Sequence, residues 1–168
     1  MLDLVIIRHG RAAPARGGLP DEDRPLSEEG TDRFQAAARG LSRLLAPPVE
    51  IISSPYLRAR QTARILREAL AEVEKDSILA ESDSRLVPGG PEGEIARLAL
   101  DRALTAQGTL LLVSHMPMVG RLAGRLLGAR PLALATGEAC AIRLDGDHGI
   151  LTWKLPEVAA AMIEDGAP

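Results

Sequence analysis

The chain has little cysteine, little lysine and no long apolar run, and each shortage closes off a class of function. Cys140 is the only cysteine in 168 residues, which excludes an intramolecular disulfide and speaks against a thiolate metal site. A reducing, cytoplasmic setting is the expectation, with no metal and no cofactor. Lys75 and Lys154 are the only lysines among 20 basic residues, the rest being arginine. That bias suits planar recognition of oxyanions, and a GC-rich genome produces it too. No stretch approaches the ~20 apolar residues needed to span a bilayer. The first apolar run, Leu4 to Ile7, stops at Arg8 without a signal-peptide core. Against 23 acidic residues the basic ones leave a net charge of −3, so neither a nucleic-acid partner nor an anionic membrane surface is expected.

What is present suffices for a core. With 46% hydrophobic residues, residues 1–168 are expected to form one domain, without room for a second full one. Short apolar runs alternate with long amphipathic stretches, the pattern of a layered α/β domain. Leu2 to Ile7 reads as the first strand. Ser27 to Leu45 follows as a helix, opened by a capping residue and acids, with Phe34, Ala37, Ala38, Leu41, Leu44 and Leu45 at helical spacing. Val49 to Ser53 reads as a second strand. A helix from Pro55 to about Val73 comes next, with Ser54 as its expected N-cap. Ile78 to Ala80 is a short third strand, and Glu92 to Ala106 a third helix. Thr109 to Ser114 is almost continuously apolar, as in a parallel strand covered on both faces, and Pro117 to Leu127 reads as a fourth helix. Residues 138–155 read as an antiparallel hairpin at one sheet edge. The expected fold is therefore a three-layer α/β/α sandwich with a mostly parallel sheet. Residues 12–25 are expected to loop over the mouth of the sheet.

Three strand ends carry polar residues where an open parallel sheet binds ligands. The first strand ends in Arg8-His9-Gly10. The second passes through Ser53-Ser54-Pro55 into a helix with Arg58 in its first turn. The strand ending at Ser114 continues into His115. A cation in a first helical turn opposes the macrodipole, and a bound anion reverses that penalty. Free helix N–H groups and a guanidinium fork make a phosphate or sulfate site. Arg8 adds a second fork, and Gly10 allows close backbone approach. Of the two histidines, one suits nucleophilic attack as a neutral imidazole, favoured by the nearby arginines, and the other suits donation to the transferring group. Bland readings serve elsewhere. His148 is a solvated turn residue, Cys140 a small core residue, Trp153 an edge-packing residue, and Arg60, Arg64 and Arg67 a solvated helix face.

Together, "RHG" at 8–10, "SSPYLRARQTA" at 53–63 and "VSHMPMVG" at 113–120 resemble the histidine phosphatase superfamily, the phosphoglycerate-mutase-like proteins. In this order and spacing the combination is highly specific. "RPLSEEG" at 24–30, "HMPMVGRLAG" at 115–124 and the short length look most like the SixA-type phosphohistidine phosphatase branch. The resemblance implies that His9 is transiently phosphorylated and that Arg8, Arg58 and His115 hold the phosphoryl group until water releases it. Arg24 is a further candidate to face the pocket. Many ester-hydrolysing members carry an acidic proton donor in the segment that here reads "RLVPGGPEGEI", residues 85–95, where Pro or Val stands at the donor position. An alkoxide leaving group needs that acid far more than the imidazole of phosphohistidine does. The expected substrate is therefore a phosphohistidine protein, with Glu92 or Glu81 as substitute donors. The rivals are a phosphatase of small phosphorylated metabolites with the same fold, and a phosphoprotein-binding module without turnover. Oligomeric state is not legible in the sequence, and a monomer is compatible with it.

Overall fold

The computed structural model describes residues 2–79, 82–146 and 148–163. In chain order they form β1 (Leu2–Arg8), α1 (Glu28–Leu44), β2 (Val49–Ser53), α2 (Leu57–Glu72), β3 (Ser77–Leu79), α3 (Glu92–Thr105), β4 (Gly108–Ser114), α4 (Met118–Leu126), β5 (Ala139–Asp145), β6 (His148–Leu155) and α5 (Glu157–Met162). Single 3-10 turns lie at Asp21–Asp23 and Ser84–Leu86. The strands make one sheet in the order β3-β2-β4-β1-β5-β6. Its first four strands run parallel, and β5 and β6 add an antiparallel edge.

Alternating side chains divide the core in two, as the period of a pleated strand requires. Val5 and Ile7 of β1 and Leu111 and Val113 of β4 join Phe34, Leu41, Leu66, Leu70 and Ala160 on one face. Leu4, Ile6, Leu110 and Leu112 join Ile95, Ala99, Met118 and Leu122 on the other. Helices α1, α2 and α5 therefore cover one side and α3 and α4 the other, the three-layer sandwich expected. Every residue of β4 is buried, which explains its unbroken apolar run. Cys140 is fully buried in the second cluster, and Trp153 packs against the first.

The helix ends show which local signals prevailed. The Ser27 side chain accepts from the Gly30 N–H at 2.9 Å and caps α1. At the other end Lys75 Nζ donates to the carbonyls of Ser42, Arg43 and Leu45, satisfying acceptors that a helix terminus leaves open. The expected Ser54 cap is not formed. Helix α2 starts at Leu57, with Tyr56 as its cap residue and no side-chain cap bond; Ser54 lies two residues earlier, where its hydroxyl oxygen accepts from the Tyr56 N–H and meets His115. His148 begins β6 and is exposed.

Helix α5 has no counterpart in the sequence reading. It packs against α1 at Gly40, where an added Cβ would lie 1.8 Å from the Ala160 carbonyl oxygen. In an open helix Gly→Ala stabilises by about 1 kcal/mol through propensity. Here the backbone contact decides the sign. Gly40→Ala is expected to destabilise by about 1–3 kcal/mol, the usual cost of overpacking, read as a lower urea midpoint. An unchanged or raised midpoint would show that α5 contributes nothing to the fold.

Candidate active site

Strands β1 and β4 are neighbours, with Arg8 in register with Ser114. The chain leaves β1 for α1 on one face of the sheet and leaves β4 for α4 on the other. Such a switch opens a crevice beyond the carboxyl ends of the two strands. His9 and His115, each one residue past its strand, face one another there with ring centroids 4.9 Å apart. A cavity of about 460 Å³ is lined by Arg8, His9, Asp21, Arg24, Arg58 and His115, and further by Arg11, Ala12, Pro88, Met116 and Thr136.

Two contacts fix the His9 tautomer. Nδ1 lies 2.6 Å from the Gly10 carbonyl oxygen, which can only accept, so Nδ1 carries the proton. Arg58 Nε donates to Nε2 at 3.2 Å, so Nε2 presents its lone pair. Burial pushes the His9 pKa down to about 4, assisted by the charges of Arg58, Arg8 and Arg24 and opposed by the Gly10 hydrogen bond. His115 is pushed to about 3, by burial first and then by His9 and Arg58. Both rings are therefore neutral at neutral pH. Like-charge repulsion, expected to be the cause, is secondary to desolvation.

The His115 Nε2 lies 2.8 Å from Ser54 Oγ, and Tyr56 packs edge-on at 4.8 Å between centroids. Among the described residues neither His115 Nδ1 nor Arg8 Nε has a hydrogen-bond partner, although both atoms are buried. A loop after α4 clamps the Arg8-His9 pair. Arg8 Nη1 donates to the Leu134 carbonyl at 2.9 Å, and the Gly137 N–H donates to the carbonyls of both Arg8 and His9. Glu138 anchors this loop, accepting from the Ala135 N–H and pairing with Lys154 on β6.

The anion that Arg58 calls for in the first turn of α2 is supplied by the protein. Asp21 accepts from Arg58 Nη2 through Oδ2 at 2.9 Å, and its backbone carbonyl accepts from Nη1 at 2.5 Å. Arg24 reaches the same carboxylate through Nε and Nη2, at 3.1 and 2.8 Å, and the Ala13 carbonyl through Nη1. Arg24 thus lines the same cavity as Arg8, His9, Arg58 and His115. Arg11 stands in the same wall, paired with Glu29.

Two candidates are placed otherwise. The Gly10 N–H donates to Thr62 Oγ1 at 3.1 Å and its carbonyl accepts from His9. A Cβ at Gly10 would meet Leu26, Gly30 and Phe34 at 3.3–3.4 Å. The glycine is used to seat the strand end against α1, with both backbone polar groups engaged within the protein. Glu92 pairs with Arg121, at 3.5 Å between Nε and Oε2, and is not among the residues lining the cavity. Glu81 lies outside the described residues. Asp21, Ser54, Thr62 and the 134–138 loop were not singled out as site residues by sequence. Of these, only Ser54 and Thr62 fall inside a recognisable motif. Among the described residues no group of three or more His, Cys, Asp or Glu is arranged to hold a metal ion, and no helix is long and apolar enough to cross a membrane.

Sheet order and strand-end crevice define an α/β protein with the phosphoglycerate-mutase-like architecture. A family model for the histidine phosphatase superfamily (branch 1) matches residues 4–103, and the chain belongs to that family. Phosphohistidine phosphatase SixA of Escherichia coli (strain K12) is 30% identical over 158 residues, covering 92% of this chain and 93% of that protein. A solved structure of the protein histidine phosphatase SixA complexed with tungstate superposes with a TM-score of 0.80 at 25% identity, over 93% of this chain and 97% of that one. A phosphoserine phosphatase from Entamoeba histolytica, solved with phosphoserine, shares the fold at a TM-score of 0.70 and 16% identity, over 97% and 99% of the two chains.

Proposed function

We propose that the protein is a phosphohistidine phosphatase that works through a phosphoryl group carried on His9 Nε2. The observation carrying this reading is the state of the cavity floor, a neutral His9 with its Nε2 lone pair directed to Arg58 and its Nδ1 proton fixed by Gly10. Beside it the buried Arg8 Nε and His115 Nδ1 have no hydrogen-bond partner among the described residues, a costly arrangement unless an acceptor such as a phosphoryl oxygen satisfies them. Ser54 Oγ accepts from the Tyr56 N–H, leaving its own proton for His115 Nε2. The proton of the neutral His115 ring then sits on Nδ1, ready to donate to a phosphoryl oxygen.

In the first step His9 Nε2 bonds to phosphorus as the substrate's P–N bond breaks, and the electron pair returns to the substrate imidazole. Arg58 Nε gives up the lone pair of His9 and turns to a phosphoryl oxygen. In the second step water bonds to phosphorus, the P–Nε2 bond breaks with its electron pair returning to Nε2, and both protons of the water leave with the phosphate, as dihydrogen phosphate. His9 then regains its starting tautomer.

The leaving group selects the substrate class. Glu92 is held by Arg121, and Asp21, the carboxyl group that lines the cavity among the described residues, is tied to two arginines. Neither is poised to protonate an alkoxide, whereas the imidazole of phosphohistidine departs without that help. The name of the Escherichia coli relative points the same way. The reading includes a cytoplasmic setting, in keeping with a single unpaired cysteine. The test compares kcat/KM for a phosphohistidine peptide, a phosphoserine peptide and small phosphate esters. A preference for phosphohistidine of at least about 100-fold is expected, the usual worth of a missing general acid. Efficient ester hydrolysis would move the assignment to a small-molecule phosphatase, and binding without phosphate release to a phosphoprotein-binding module.

A further inference from the structure

An attack in line from His9 fixes where the leaving group goes. His9 and Arg58 form the floor of the cavity, at 7% and 3% exposure. The Asp21 and Arg24 side chains stand at 55% and 26%, on the solvent side. A group displaced by His9 Nε2 departs on the far side of phosphorus, toward that mouth. What waits there is a carboxylate. Oδ1 accepts from Arg24 and Oδ2 from Arg58, and a carboxylate with two oxygens and about four acceptor sites keeps room for another donor. Burial works to raise the Asp21 pKa, but the hydrogen bonds and charges of Arg58 and Arg24 together outweigh it and hold the carboxyl below its ordinary value. It is therefore a fixed negative charge and a poor proton donor.

The reaction is a transfer between two imidazoles, and each must carry a proton on its far nitrogen to leave phosphorus as a neutral ring. For His9 that proton is held by the Gly10 carbonyl. The substrate ring needs an acceptor of its own at the mouth. Resting on the phosphohistidine reading above, we infer that Asp21 is a specificity-determining residue whose carboxylate accepts a hydrogen bond from the protonated far nitrogen of the substrate phosphohistidine. By stabilising the cationic ring it raises the population of the form that can leave. The electron pair of the breaking P–N bond then neutralises the ring, which departs as imidazole with its N–H in place. The same charge disfavours a leaving group that becomes negative, such as an alkoxide or a phenolate. Asp21 thus separates phosphoramidates with cationic leaving groups from phosphate esters.

Asp21→Asn keeps the size of the side chain and one acceptor oxygen, enough for one of the two arginines, and removes the charge, so it is the informative variant. Its kcat/KM is measured from pH 6 to 9 with a phosphohistidine peptide and with p-nitrophenyl phosphate, whose leaving group needs no acid. The ratio of phosphohistidine to ester kcat/KM at pH 8 is expected to fall at least about tenfold. The alkaline limb of the phosphohistidine profile should move about one pH unit lower, a tenfold change in the protonated population. If Asp21 only positions Arg58, both substrates fall together and neither limb moves, which overturns the inference and leaves the phosphohistidine assignment standing. If the wild type turns over p-nitrophenyl phosphate but not the phosphohistidine peptide, the assignment fails and the inference falls with it.

Discussion

His9→Ala is expected to reduce turnover of a phosphohistidine peptide by about 10,000-fold or more, the scale on which members of a catalytic unit fail when one is removed. The size follows from what the other histidine of the crevice cannot supply. His115, the other ring in the crevice, has Nε2 engaged with Ser54 and its second nitrogen assigned as a donor. Its one ring lone pair, on Nε2, is held by the Ser54 hydroxyl. Denatured wild-type protein quenched during turnover should carry acid-labile, base-stable phosphate on His9, and the variant should carry none. Phosphate binding should survive, because Arg8, Arg58 and His115 remain. Full activity in His9→Ala would remove the covalent mechanism, whereas lost activity with lost phosphate binding would point to collapse of the site. The Gly137 N–H bonds to the His9 carbonyl and the His9 N–H to the Ser114 carbonyl, and an alanine backbone can make both.

Much of this site was legible because its parts sit at strand ends, where chain polarity and sheet order do the assembling. Arg8, His9 and His115 each interrupt or follow an apolar run, and parallel pairing of β1 with β4 brings them together whatever lies between. The second strand, Val49 to Ser53, could be read to the residue because prolines and a serine-proline turn bound it. Asp21 could not be read as a site residue. It belongs to a run of three acids in a loop, and nothing local separates it from Glu22 and Asp23. Only the fold sets it over Arg58, 37 residues away. Thr62 lies on a helix in a recognised motif, yet its bond to Gly10 spans 52 residues. Helix α5 was missed for a different reason. Its described part, Glu157–Met162, is too short to be stable from propensity alone and owes its place to contact with α1.

Those buried contacts expose the protein to acid. His9 and His115 have ordinary values near 6.5 when unfolded and are pushed to about 4 and about 3 in the fold, chiefly by burial. Both pKa values are depressed, so their stabilisation is fully present above pH 6.5 and is lost as pH falls toward the folded values. Between those limits the unfolded chain binds up to two more protons than the native one. The unfolding free energy should then decline by up to about 2.7 kcal/mol per pH unit, and His9 alone costs roughly 3 kcal/mol by pH 4. Glu157 works in the opposite direction. Burial raises its pKa despite Arg33, so the native state gains that proton first and recovers part of the loss. The carboxyls of Asp21 and Asp83, held below their ordinary values, add their own losses only nearer pH 4. Urea unfolding at pH 7.5, 6.5, 5.5 and 4.5 follows the histidine loss together with the opposing Glu157 proton, and His115→Asn should roughly halve the slope in the upper window. A wild-type stability that is flat from pH 6.5 to 4.5 would mean that the rings are not held neutral. Activity should persist further into acid than a free imidazole allows, with kcat/KM falling about tenfold per unit only as His9 loses its Nε2 lone pair near pH 4. The burial that keeps His9 a nucleophile at neutral pH is thus the same burial that makes the fold sensitive to acid.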